Sequence, residues 1–123
     1  MAVKLDNAST TGRPTFTQVN NANEQTVFTS TETRPRIFSC YLDLQNLANN
    51  STIRFNVRVD GTNFRVFPLV DNGTIAHTFT QATDVKGVQI GPVWVADQVR
   101  VTVQAAIAEG PAIPYHVVEE FCN

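Results

Sequence analysis

Thr52-Ile53-Arg54-Phe55-Asn56-Val57-Arg58-Val59-Asp60 alternates apolar and polar residues almost without a break. Ile53, Phe55, Val57 and Val59 point one way, and Thr52, Arg54, Asn56 and Arg58 the other. A period of two marks a strand half-buried against a core, because successive side chains leave a pleated backbone on opposite faces. Asp60-Gly61 follows, a pair at which a positive φ is cheap, and residues 64–69 return from the turn. Pro68 cannot donate to a ladder, so the return segment ends there or lies at an edge.

The same pattern recurs on both sides. Residues 36–44 align Phe38, Cys40, Leu42 and Leu44 against Ser39 and Asp43. Residues 98–106 align Val99, Val101, Val103 and Ala105 against Gln98, Arg100, Thr102 and Gln104. Residues 25–31 set Val27 opposite Thr26 and Phe28, and residues 74–80 put Ile75, His77 and Phe79 on one face after the turn Asp71-Asn72-Gly73. Gly91-Pro92 separates two short segments, 86–90 and 93–96, and Gly110-Pro111 precedes the last, 113–119. This spacing predicts roughly seven to nine strands. No segment has a convincing helical period; 44–47 and 104–108 suit at most a single helical turn each.

Composition agrees with an all-β chain. At 123 residues there is room for one ordinary domain. Charged residues are only 16%, and the polarity comes instead from Thr (15), Asn (11), Gln (7) and Ser (4). Val (16) and Phe (8) outnumber Leu (5), a bias toward strands. The expected architecture is a single antiparallel β-sandwich, jelly-roll or immunoglobulin-like, over residues 25–123.

Residues 1–24 read differently. They are rich in Asn and Thr, carry Gly12 and Pro14, and offer few apolar side chains: Val3, Leu5, Phe16 and Val19. Such a segment cannot bury enough surface by itself to offset its ordering entropy. It is expected to be an extended N-terminal arm whose Val3, Leu5, Phe16 and Val19 contact neighbouring subunits. The competing arrangement makes it an intrachain edge strand, with Phe16 and Val19 filling a gap in the core.

Several function classes find no support in the residues. Net charge is −2 and the nine basic residues are dispersed, so a nucleic-acid partner is not expected. Arg54, Arg58 and Arg65 share at most one sheet face, which neighbouring Asp60 blunts. No apolar run is long enough to span a bilayer as a helix, and the first residues lack the pattern of a secretory signal. Synthesis in a cytoplasm is therefore expected, with Cys40 a small buried hydrophobe and Cys122 a tail residue. His77 and His116 are 39 positions apart, and with Cys40 they make a poor metal constellation. No nucleophile has a marked base, Glu119 and Glu120 fall on opposite faces of one strand, and Asp60 and Asp71 are explained by turns. The expectation is a non-enzymatic chain with no cofactor and no metal. Trp94, Phe64, Phe67, Tyr41 and Tyr115 are candidates for a sugar-stacking platform, although aromatics of a small sandwich ordinarily fill its core.

Taken together, the polar N-terminal segment, the hairpin running from Arg54-Phe55-Asn56-Val57-Arg58-Val59-Asp60 into Gly61-Thr62-Asn63, and the strand Asp97-Gln98-Val99-Arg100-Val101-Thr102-Val103-Gln104 resemble small virion proteins of tailed bacteriophages, in particular head decoration (cement) proteins with sandwich folds. The resemblance implies a homotrimer, or another small oligomer, that clamps the major capsid protein lattice from the outer capsid surface. It carries no functional residue over to this chain. Carbohydrate-binding sandwich modules and phage tail or baseplate sandwich proteins are the alternatives.

The alternation makes a direct test available. Val57→Asp and Val101→Asp each bury an unpaired charge at the centre of a strand, and neither variant should fold. Arg54→Ala and Gln104→Ala change the opposite face and should melt cooperatively. Circular dichroism melting of the four variants checks the register.

Overall fold

The computed structural model of the chain describes residues 2–6, 15–67, 69–71, 74–76, 79–80 and 87–121. Among these residues there is no helix. Their strands are β1 (Ala2–Asp6), β2 (Thr15–Thr17), β3 (Glu24–Ser30), β4 (Arg36–Asp43), β5 (Thr52–Arg58), β6 (Phe64–Phe67), β7 (Leu69–Asp71), β8 (Thr74–Ala76), β9 (Phe79–Thr80), β10 (Gly87–Val95), β11 (Val99–Gln104) and β12 (Ala112–Phe121). They form two larger antiparallel sheets. One runs β1-β12-β4-β10, with β2 also on β12; the other runs β3-β11-β5-β6, with β9 also on β5. β7 and β8 make a separate two-stranded ribbon.

The alternating residues of both sheets meet in one core. Phe38, Cys40 and Leu42 of β4, with Val117 of β12, pack against Ile53, Phe55 and Val57 of β5 and Val99, Val101 and Val103 of β11. The Phe38 and Phe55 rings stack across the two sheets, 5.8 Å between centroids. Val57 and Val101 are both buried, and Arg54 and Gln104 lie in the opposite phase, half-exposed. The result is a sandwich-like, all-β fold.

Several local readings need correction. Val59 is exposed, because β5 stops at Arg58 and the chain turns away. Asp60 drives that turn: its Oδ1 accepts from the amides of Thr62 (2.9 Å) and Asn63 (2.7 Å), with Gly61 at φ 80°. In β3 a register shift against β11 lets Val27 and Phe28 both turn inward, where strict alternation would separate them. Residues 86–96 yield one strand rather than two. β10 runs through Gly91-Pro92, whose peptide is cis, by a register shift between Ile90 and Val93. Gly91 is required there: its φ is 86°, and a Cβ would collide with the Phe38 carbonyl oxygen. Residues 74–80 divide into β8 and β9. The expected helical turns are absent; at residues 44–47 there is a single turn hydrogen bond, Leu47 N to Leu44 O at 3.0 Å.

The N-terminal segment pairs within its own chain. β1 lies antiparallel along β12 from Ala2 opposite Phe121 to Asp6 opposite Val117, and β2 pairs with the start of β12. Phe16 packs against the core, whereas Val19 is 66% exposed in the loop after β2. These strands, and the subdivision of residues 64–80, bring the described total to twelve.

The pattern of the sequence does not announce the most buried charges among the described residues. Arg36 and Glu119, on neighbouring strands β4 and β12, form an ion pair with both side chains wholly buried. Ser30 Oγ on β3, in the other sheet, donates to the Glu119 carboxylate at 2.9–3.0 Å and lies 3.1 Å from Arg36 Nη2. Arg36 Nη1 reaches the Arg34 carbonyl at 2.9 Å. The signal was in the sequence: Arg36 continues the inward phase of Phe38 and Cys40, and Glu119 that of Val117.

An ion pair of this kind is costly to break singly and cheap to replace whole. Arg36→Met and Glu119→Leu should each cost about 3–5 kcal/mol, because each strands a buried charge. The double variant should recover most of that loss. Urea denaturation of the three variants measures the coupling.

Candidate functional site

The outer face of the first sheet exposes Trp94 and Tyr41, while Val66 and Phe67 are exposed on β6 of the other sheet. Alternation along β4 turns Ile37, Ser39, Tyr41 and Asp43 outward; β12 adds Pro114, His116, Val118 and Glu120, and β10 adds Gln89 and Trp94. Pairing sets these in rows. Val3, Glu120, Ile37 and Trp94 are successive register partners across β1, β12, β4 and β10. The next row holds Leu5, Val118 and Ser39, and the next His116, Tyr41 and Gln89. Trp94 is 61% exposed and Tyr41 43%. The Tyr41 and His116 rings meet at 6.1 Å, and beside them an open groove of about 720 Å³ runs between Pro114, Val118, Asp43 and Gly87.

Val3 and Leu5 are thus brought into the same sheet as Trp94 and Tyr41, while Phe16 belongs to the core side and Val19 to a loop. The five aromatics considered as a sugar platform are dispersed. Trp94 and Tyr41 share a face, with Tyr41 and the Trp94 partner Ile37 about 13 Å apart along β4 at the rise of an extended strand. Tyr115 packs on the core against Phe28, 6.0 Å between centroids. Phe64 and Phe67 lie on the other sheet.

Cys40 and His116 sit on adjacent strands but in opposite phase: Cys40 pairs with Val117, and His116 with Tyr41. Burial pushes the Cys40 thiol up to about 12, which leaves it a protonated hydrophobe at neutral pH. His77 lies outside the described residues. Among the described residues no group of three or more His, Cys, Asp or Glu side chains is placed to hold a metal ion, and no helix is long and apolar enough to cross a membrane.

The other outer face is polar and largely internally neutralised. Arg58 donates twice to Asp97 Oδ1, at 2.8 and 3.1 Å, and Arg54 pairs with Glu24 at 3.2 Å. Glu24 and Asp97 thus balance Arg54 and Arg58, while Asp60, engaged chiefly by its own turn, also attracts Arg65. Hydrogen bonding from Thr102 first, then Arg54, lowers the Glu24 pKa, and Arg58 with the Gln98 amide lowers that of Asp97. The Asn63 amide and side chain hold Asp60 well below the usual carboxylate range.

A carboxylate whose pKa is lowered on folding stabilises the fold above its unfolded pKa, and that contribution disappears as pH falls through the folded value. Stability should therefore stay level down to about pH 4.5 and decline below it. Asp97→Asn with Glu24→Gln should flatten the decline. Urea midpoints across that range provide the measurement.

Comparison of the chain with protein-family models, with curated proteins and with solved structures gives no match.

Proposed function

We propose that the two sheets form a jelly roll, and that the chain is a non-enzymatic virion structural protein that decorates and stabilises a bacteriophage capsid. In this reading it binds the major capsid protein lattice from the outer surface as a homotrimer. The observation that carries the proposal is the strand order. Setting β2, β7, β8 and β9 aside, β1, β12, β4 and β10 in one sheet and β3, β11, β5 and β6 in the other match the eight-strand, two-sheet interleaving expected of a jelly roll. That architecture is used by viral capsid domains and also by lectins.

The outward rows of the first sheet supply an adhesive surface in keeping with this role. Trp94, Tyr41, Ile37 and Val118 offer apolar area, with Glu120 and His116 between them. A lattice-binding protein needs no tight single site. Three weak copies of one face, held together, multiply into firm attachment.

Exposure of Trp94 and Tyr41 on one face favours a second reading, a carbohydrate-binding module, since such rings also stack on sugars. One experiment separates the two. Capsid shells of the cognate phage, prepared without the protein, are titrated with the wild-type chain, Trp94→Ala and Val118→Asp, and the same proteins are applied to a glycan array. The decoration reading expects saturable shell binding, weakened roughly tenfold or more by either substitution at an unchanged melting temperature. Glycan capture lost in Trp94→Ala, with no shell binding, establishes the second reading instead.

A further inference from the structure

The outer face of the second sheet holds a smaller concavity of about 290 Å³, walled by Glu24, Arg54, Asn56, Val66, Arg100 and Thr102. Its floor is a chain of satisfied hydrogen bonds. Asn56 Nδ2 donates to the Arg100 carbonyl (3.3 Å) and to Thr102 Oγ1 (3.5 Å). Thr102 Oγ1 donates to Glu24 Oε2 at 2.6 Å. Arg54 Nη1 reaches the same carboxylate at 3.2 Å and Gln104 Oε1 at 3.2 Å. Side chains tied end to end in this way hold their positions before any ligand arrives.

The Arg100 guanidinium stands outside that chain. It lies over the Phe64 ring, 4.2 Å from the centroid, and its Nε is closed off from solvent without a hydrogen-bond partner. Among the described residues no carboxylate is in ion-pair contact with it; Glu24, already shared by Arg54 and Thr102, attracts it only at longer range. Two cations thus face one carboxylate, and the cleft carries a net positive charge within a chain whose overall charge is −2. A guanidinium is planar, and its fork of donors takes both oxygens of a carboxylate together; the Phe64 ring beneath Arg100 restricts where that fork can swing.

We propose that this cleft binds a carboxylate group, with Arg100 as its principal donor and Arg54 beside it. The apolar Val66 at the rim accommodates a short aliphatic stem. The cleft suits one carboxylate on such a stem, whether an acidic side chain of a protein partner or a small free organic acid. It lies on the opposite sheet from the Trp94 face, so it stands or falls independently of the capsid reading.

Calorimetric titration at low ionic strength with two probes, a blocked triglutamate peptide and free succinate, tests the proposal. Saturable one-to-one binding is expected, weakened roughly tenfold or more in Arg100→Gln. Thermal stability of that variant should be unchanged or higher, because an unpaired enclosed donor is removed. Should Arg100→Gln fail to fold, Arg100→Lys decides: it keeps the charge but loses the planar pair, and binding should weaken several-fold. Binding of the peptide alone identifies a protein partner, and equal or tighter binding of succinate a free acid. Absence of saturation with both probes, or a titration unaltered by the Arg100 substitution that folds, overturns the proposal.

Discussion

Everything between the two sheets is organised around one charged contact inside an apolar core. Arg36 and Glu119 are wholly buried, and Ser30 joins them from the facing sheet. An aliphatic core tolerates many sliding arrangements of two sheets at similar free energy, because burial is nearly non-directional. A buried ion pair tolerates few, since any misregister leaves a charge unpaired in a poor dielectric. The contact therefore discriminates among packings more than it adds net stability. It joins β3 and β4, from the first third of the sequence, to β12, about seventy residues further on.

Much of this was legible in the residues, and the failures share one origin. Alternation located β4, β5 and β11 with their inward sides, and the position of β12, because each runs straight and one face is dry. It failed where the backbone changes phase: at Val27 and Phe28, and around Gly91-Pro92. A bulge is a property of two strands in register, invisible in either alone. The N-terminal strands are hard to read for a related reason. Val3 and Leu5 are too sparse to announce a strand, and β1 exists because β12 presents an edge to it. At the candidate site, Trp94, Tyr41, Val3 and Leu5 were individually noticed, but only the strand order puts them in adjoining rows. The sequence marks Arg100 as an outward strand residue, but only the fold shows that its Nε has no hydrogen-bond partner.

The two outer faces are chemically unlike. One displays aromatic and branched side chains separated by occasional polar groups, and the other a hydrogen-bonded lattice of Arg, Glu, Thr, Asn and Gln. Apolar contact is short-ranged and insensitive to salt, while the polar face acts through charge and weakens as ions accumulate. A sandwich with such faces has two independent chemistries separated by the thickness of its core.

β10 ends the first sheet, and an open strand of nine residues is ordinarily an invitation to pair with another chain. Here the ladder is interrupted midway by the shift between Ile90 and Val93, and Pro92 has no amide hydrogen to offer. No long, flat row of donors and acceptors is left on that border. At the high local concentrations of a crowded assembly, copies of this chain are thereby steered away from open-ended, fibre-like stacking through β10.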